Sequence, residues 1–271
     1  MNFIIKIKKI QKKNNSLICI GLDVDITRIP KFLKKLKDPV FEFNKKIIDS
    51  THDLVCAYKP NIAFYEARGL KGLRSLKKTI KYLQNKYKDT PIILDAKRGD
   101  IGSSSKQYAK AFFEYWDVDA ITVFPYLGLD SISSFLDYKN KYIFLLLKTS
   151  NPDSSMFQDL KLLNGKPFYL NLAKEISKWN NNNFGVFCGA TYPKELLQIR
   201  KIFPNKVILT AGIGAQGGDP KKTVKAGVDS NSLNLICNSS RSIIYASCDK
   251  NFNQKARQAT IKLRNIINKY R

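Results

Sequence analysis

Along the chain, short uninterrupted apolar runs of strand length alternate with longer segments whose apolar residues recur at helical spacing. The runs cover residues 17–22, 54–58, 91–94, 120–124, 142–147, 184–188, 207–209 and 233–237. Continuous rather than alternating hydrophobicity predicts strands buried on both faces, as in a parallel sheet covered by helices. Eight such strands with helices between them fit an α/β fold closed into a (β/α)8 TIM barrel better than an open sheet. Helices are predicted over 61–87, over 101–116, over 193–203 with Pro193 at the start, and over 253–270 as a basic amphipathic closing helix. Residues 151–166 form the longest irregular connection, expected to lie over the mouth of the barrel. There is no internal repeat and no polar linker long enough to split the chain, so 1–271 is read as a single barrel domain.

Composition supports one large core: 271 residues with 44% hydrophobic content suffice to bury most of the unfolded surface. A formal charge of +25 raises the question of a nucleic-acid or membrane partner. The lysines, however, are spread over nearly every helix and loop instead of forming a stripe with interleaved aromatics, which favours a solvated basic surface. Such a field still attracts an anionic substrate. Cys19, Cys56, Cys188, Cys237 and Cys248 are odd in number and lack C-x-x-C spacing, so neither a disulfide framework nor a zinc site is expected. Residues 1–15 are basic, but their apolar stretch is too short for a secretory signal or a spanning helix. The protein is read as cytoplasmic, with no membrane partner.

In a parallel barrel, chemistry sits where strands end, and polar residues punctuate those ends here. Asp23 follows the first run, Lys59 the second, Asp95 and Lys97 the third, Lys148 to Asn151 the fifth, and Arg241 the eighth. Asp95 and Lys97 share one side of an extended segment, because strand side chains repeat every two residues, and Lys59 comes from the neighbouring strand. This alternating line is either a structural ion-pair network at the rim or a charged surface presented to a substrate. Two further segments favour the second. The run Thr210-Ala211-Gly212-Ile213-Gly214-Ala215-Gln216-Gly217-Gly218-Asp219 permits close backbone approach to an anion, and Asn238-Ser239-Ser240-Arg241 follows the last strand. Loops after strands seven and eight are the recurrent phosphate site of these barrels.

Other chemistries find little support. His52 is the only histidine and lies in a helical segment, so triad catalysis would hang on one residue. There is no H-E-x-x-H, no Walker loop and no carboxylate cluster without an interposed lysine, and no metal site is expected.

The chain resembles the orotidine 5′-phosphate decarboxylase family, specifically its longer (type 2) bacterial and protozoal branch. The segments that carry the resemblance are Tyr58-Lys59-Pro60-Asn61-Ile62-Ala63-Phe64-Tyr65-Glu66, Asp95-Ala96-Lys97-Arg98-Gly99-Asp100-Ile101-Gly102, Lys148-Thr149-Ser150-Asn151-Pro152 and the run from Gly212 to Asp219. It extends from Cys19-Ile20-Gly21-Leu22-Asp23 to Ser240-Arg241-Ser242-Ile243, in the family's order. The resemblance implies decarboxylation of orotidine 5′-phosphate to uridine 5′-phosphate without metal or organic cofactor. It implies that Asp23 and Lys59 hold the ribose hydroxyls, that Asp95 faces the substrate carboxylate, and that Lys97 delivers the proton to C6 of the pyrimidine. Ser150 would contact the pyrimidine, while Gln216 and Arg241 would grip the phosphate. Asp100, Ile101 and Ser104 would reach into the neighbouring subunit's site, making a homodimer with shared active sites the catalytic unit.

Three positions depart from the family's pattern. Ser104 stands where Thr is usual and keeps the hydroxyl, Ala211 replaces a Pro before the Gly-Ile-Gly turn, and Ser240 replaces a Gly beside Arg241, where it threatens to crowd the phosphate. Two rivals stay open at this point. One is a magnesium-dependent sugar-phosphate decarboxylase or aldolase on the same barrel, and the other a nucleic-acid-binding protein on an inactive barrel.

Overall fold

Eight parallel strands surround a common core in the structure, a computed structural model that describes residues 2–214 and 217–271. They are β1 (Ile18–Gly21), β2 (Ala57–Lys59), β3 (Ile93–Arg98), β4 (Ala120–Val123), β5 (Tyr142–Lys148), β6 (Phe184–Gly189), β7 (Ile208–Ala211) and β8 (Leu235–Ser239). Hydrogen bonds link them in the order β2-β1-β8-β7-β6-β5-β4-β3. Between the two end strands, bridges pairing Tyr58 with Ile92 and Asn61 with Asp95 complete the ring. The TIM barrel expected from the eight apolar runs is therefore the fold.

The strands differ from the runs mainly at their C-terminal ends. β3 continues through Arg98, β5 through Lys148 and β8 through Ser239. Ladder hydrogen bonds are made by backbone groups, so strand structure persists where apolar side chains stop, provided the polar ones find partners.

Outside the ring lie α2 to α12, and α1 (Phe3–Lys13) precedes them. Their ranges are α2 (Pro39–Thr51), α3 (Ala63–Glu66), α4 (Gly69–Lys86), α5 (Gly102–Lys110), α6 (Asp130–Leu136), α7 (Ser155–Gln158), α8 (Phe168–Ser177), α9 (Pro193–Ile202), α10 (Pro220–Gly227), α11 (Arg241–Ile244) and α12 (Phe252–Asn268). The helix predicted over 61–87 is broken in two. Gly69 adopts φ +57°, a left-handed turn between α3 and α4, and Gly72 passes so close to the Tyr65 carbonyl that a Cβ there would sit 2.0 Å from it. The segment predicted as helix over 101–116 becomes α5 followed by a wider π-type turn at Ala111–Tyr115.

The sequence reading did not foresee α1. Phe3, Ile7 and Ile10 form one helical face, fully buried against inward residues of the strands such as Ala57, Ile93, Phe144 and Leu209. Each such side chain contributes about 1.5–3 kcal/mol on leaving water. Every anchor of α1 lies where strands begin. Phe3 stacks on Tyr142 at 4.7 Å, Lys6 pairs with Asp119 at 2.8 Å, and the Gln11 amide donates to the Leu235 carbonyl at 2.8 Å. The helix thus stoppers that end of the barrel and leaves the opposite end open. Four of the five cysteines are buried, as small apolar side chains, and only Cys248 is exposed. His52 stacks on Tyr87 at 4.3 Å, far from any catalytic arrangement.

Candidate active site

The open end holds a cavity of about 560 Å³, a normal size for a small-molecule site. Leu146, Phe187 and Leu209 give it apolar lining, β1 to β4 contribute Asp23, Lys59, Asn61, Asp95, Lys97 and Thr122, and the far wall carries Ile213, Asn238 and Arg241.

The charged residues form a continuous line. Lys59 Nζ lies 2.7 Å from Asp95 Oδ2, and Lys97 Nζ lies 2.6 Å from Asp95 Oδ1. Lys59 is almost wholly buried, whereas the Lys97 side chain keeps 42% of its surface exposed and is the member that faces the open cavity. Burial works against ionising Asp95, but Lys59 and then Lys97 outweigh it and hold the carboxyl well below the usual carboxylate range. Burial also works against charging Lys59, yet Asp95 and then Asp23 overcome this and hold its ammonium well above the usual lysine value. The pair is consequently ionic at neutral pH.

Thr122, which the sequence reading missed, organises this line. Its hydroxyl accepts from the backbone N–H groups of Ala96 and Lys97, both at 3.1 Å, and donates to Asp95 Oδ1 at 2.9 Å. These bonds sit at a register shift between β3 and β4, where Lys97 takes φ +48°. A left-handed lysine inside a strand costs of order 1–3 kcal/mol and persists only where neighbours enforce it. Simple alternation therefore does not place Lys97; the bulge does. The available signal was a lone hydroxyl inside the fourth apolar run.

Asp23 is held differently. Its Oδ1 is buried without a hydrogen-bond partner among the described residues, and burial pushes its carboxyl up despite the opposing effect of Lys59. Ser240 lines the cavity beside Arg241 but is held against β1. Its hydroxyl donates to the Gly21 carbonyl at 3.0 Å, and a Cβ on Gly21 would meet the Ser240 Cβ at 2.7 Å. The missing side chain at Gly21 thus takes up the bulk added at Ser240.

Six of the residues singled out in the sequence, Asp23, Lys59, Asp95, Lys97, Ser150 and Arg241, line this one cavity. Asp100, Ile101 and Ser104 do not. The Asp100 carboxylate accepts from the backbone N–H of Ile101 at 2.8 Å, Ile101 is 60% exposed, and Ser104 is exposed on α5. Gln216 lies outside the described residues. Asn61, Asn238 and Gln158 join the lining without having been assigned a role. Arg98 turns away from the cavity toward α3, where it pairs with Glu66 at 2.6 Å. Among the described residues, no three His, Cys, Asp or Glu side chains gather as a metal-sized cluster, and no helix is long and apolar enough to cross a membrane.

Residues 16–257 match the family model described as the orotidine 5′-phosphate decarboxylase / HUMPS family. An orotidine 5′-phosphate decarboxylase of Christiangramia forsetii is 50% identical over 241 residues, covering 89% of this chain and 88% of its own. One from Cellvibrio japonicus is 46% identical over 272 residues, covering 99% and 98%. Among solved structures, the OMP decarboxylase of Leishmania donovani aligns with a TM-score of 0.83 at 32% identity, over 98% of this chain and 99% of that one. The UMP synthase of the same organism aligns with a TM-score of 0.86 at 33% identity, and there the match spans 99% of this chain but 57% of the longer one.

Proposed function

The chain belongs to the orotidine 5′-phosphate decarboxylase / HUMPS family and is a carboxy-lyase, and on that premise we propose that it converts orotidine 5′-phosphate to uridine 5′-phosphate and carbon dioxide, the last step of UMP synthesis, using only its own side chains. The observation that carries this reading is the Lys59-Asp95-Lys97 line on one wall of a cavity whose far wall bears Arg241. The separation suits a substrate with its reacting carbon at one end and a phosphate at the other.

In this reading, the bond between C6 of the pyrimidine and the carboxylate breaks and the electron pair stays on C6. Water stabilises such a ring carbanion poorly, whereas a fixed ammonium beside it provides electrostatic stabilisation and then the proton. Lys97, exposed to the cavity and tethered by Asp95, fills both roles, and solvent returns its proton after turnover. Asp95 faces the departing carboxylate and keeps Lys97 and Lys59 in register. Asp23 and Lys59 receive the ribose hydroxyls, a partner for the otherwise unsatisfied Asp23 oxygen. Ser150 meets the pyrimidine, and Arg241 with Gln216 takes the phosphate. Binding energy from that remote phosphate is available for the chemical step.

The proposal extends to a homodimer. Asp100, half-buried, and the exposed Ile101 and Ser104 lie outside their own cavity and supply the partner's site. The whole chain, 1–271, works as one barrel domain in the cytoplasm, a setting that suits five unpaired cysteines. Nucleic acid is not a partner.

The decisive experiment follows the ultraviolet change of orotidine 5′-phosphate mixed with purified protein and a chelator. Turnover unaffected by the chelator supports the reading. No turnover above background defeats it, and turnover abolished by the chelator points to the magnesium-dependent relatives of the same barrel.

A further inference from the structure

Lys148, the last residue of β5, is completely buried and takes no part in the charge line. A buried ammonium needs a counter-charge, and this one has Asp159 Oδ1 at 2.7 Å, while the Tyr192 ring caps it at 4.5 Å. Asp159 directly follows α7, so the ion pair ties the segment that carries Asn151 and Gln158 into the cavity lining to the end of β5. Neither Lys148 nor Asp159 lines the cavity, but their chain neighbours do.

The Gln158 carboxamide closes a pair of hydrogen bonds onto Thr149: its Oε1 accepts from the Thr149 backbone N–H at 2.9 Å, and its Nε2 donates to the Thr149 hydroxyl at 2.8 Å. That hydroxyl donates to Asn151 Oδ1 at 2.7 Å. Ser150 lies between these two anchored residues. It is pressed against β6 where Gly189 leaves room, since a Cβ on Gly189 would fall 2.9 Å from both Cα and Cβ of Ser150.

We propose that the buried Lys148–Asp159 pair is a positioning device for substrate recognition: it pins α7 so that Gln158 and Thr149 hold Ser150 at the pyrimidine. This rests on the decarboxylase reading, in which Ser150 meets the base. The pair does not touch the ligand, and its effect is confined to the wall that meets the base, leaving the phosphate wall at Arg241 intact.

The test compares Asp159→Ala, Asp159→Glu and the double variant Lys148→Met/Asp159→Ala by calorimetric titration with uridine 5′-phosphate and, separately, ribose 5-phosphate. In Asp159→Ala, uridine 5′-phosphate affinity should fall about tenfold and ribose 5-phosphate affinity should stay within about twofold. Asp159→Glu, which keeps the charge, should recover most of the loss. Because the double variant removes both charges, no ammonium is left stranded, and it should show the same base-selective loss even where Asp159→Ala folds poorly. Equal weakening of both ligands would mean general damage and overturn the proposal, as would undiminished uridine 5′-phosphate binding in the double variant. Turnover of orotidine 5′-phosphate by the unaltered enzyme separates the two readings. If that turnover is present and the variants bind normally, only the positioning role falls; if it is absent, both fall.

Discussion

The two walls of the cavity treat charge in opposite ways. On the β2–β4 side, Lys59, Asp95, Lys97 and Thr122 are joined to one another at 2.6–2.9 Å. Across the cavity, Arg241 is exposed and makes no side-chain hydrogen bond or ion pair with another described residue. Groups that meet charge developing during reaction are most effective when already fixed, since no reorganisation is then needed at the barrier. A group that grips a preformed anion gains by waiting, because the ligand itself completes the pair. On the proposed reading, one wall is satisfied in the free protein and the other is completed by the substrate's phosphate.

The sharpest way to break this contrast is Lys97→Ala. Loss of both the proton donor and its electrostatic effect should cut turnover by at least about 10⁴-fold, with little change in the melting curve. Substantial residual turnover would assign the proton to another group.

Asp95→Asn asks whether the satisfied wall is also structural. It leaves Lys59 buried beside a neutral amide and should cost about 3–5 kcal/mol in urea titrations. The pH dependence follows from the directions of the two shifts. Asp95, depressed in the fold, contributes stability present above the ordinary carboxylate value and lost as pH falls through its lower folded value. Lys59, raised in the fold, contributes stability present below the ordinary lysine value and lost as pH rises through its higher folded value. The difference between variant and parent should thus stay flat from about pH 5 to pH 10.

On the waiting wall, Arg241→Ala should lower kcat/KM by about 10²–10³-fold for the phosphorylated substrate. Orotidine, which lacks the phosphate, should be turned over equally by variant and parent. A parallel loss with orotidine would show that Arg241 supports the fold and does not wait for a ligand.

Mixing inactive Lys97→Ala and Asp100→Ala chains tests whether part of the fixed wall is borrowed. Random pairing restores one complete site in each mixed dimer, so roughly a quarter of parental activity should return. No recovery at any ratio would confine the site to one chain.

The smallest effect is expected at Asp23. Burial raises its carboxyl, so its ionised form is disfavoured in the folded protein above that raised value, and the penalty disappears as pH falls. Asp23→Asn should raise the melting temperature near neutral pH by about 2–4 °C, a gain that vanishes in acid, while binding of uridine 5′-phosphate weakens. An unchanged melting curve would mean that Asp23 is already satisfied without substrate.

Much of this organisation was legible in the chain. Each of the eight strands begins inside one of the apolar runs, because a strand buried on both faces is apolar along the part the helices cover. Asp23, Lys59, Asp95, Lys97, Ser150 and Arg241 stood out as polar residues at strand ends, and they share one cavity. The stoppering helix α1 was missed because a basic leader masks its spacing, although Phe3, Ile7 and Ile10 lie on one face. Thr122 was missed because a single hydroxyl in an apolar run reads as a tolerated strand residue. The break at Gly69 was missed because one glycine inside a helical pattern is ordinarily accommodated.

What the sequence by itself determined was the number, kind and order of the elements and the polar residues at their ends. These follow from local periodicity and from the cost of burying charge without a partner. Only the tertiary structure decided who those partners are. Closing the barrel brings Asp95 within 2.7 Å of Lys59, 36 positions earlier, and within 2.9 Å of Thr122, 27 positions later. It also holds Lys97 in a left-handed conformation that its own preferences oppose. Distances of this kind depend on register between strands far apart in the chain, and no local pattern encodes that register.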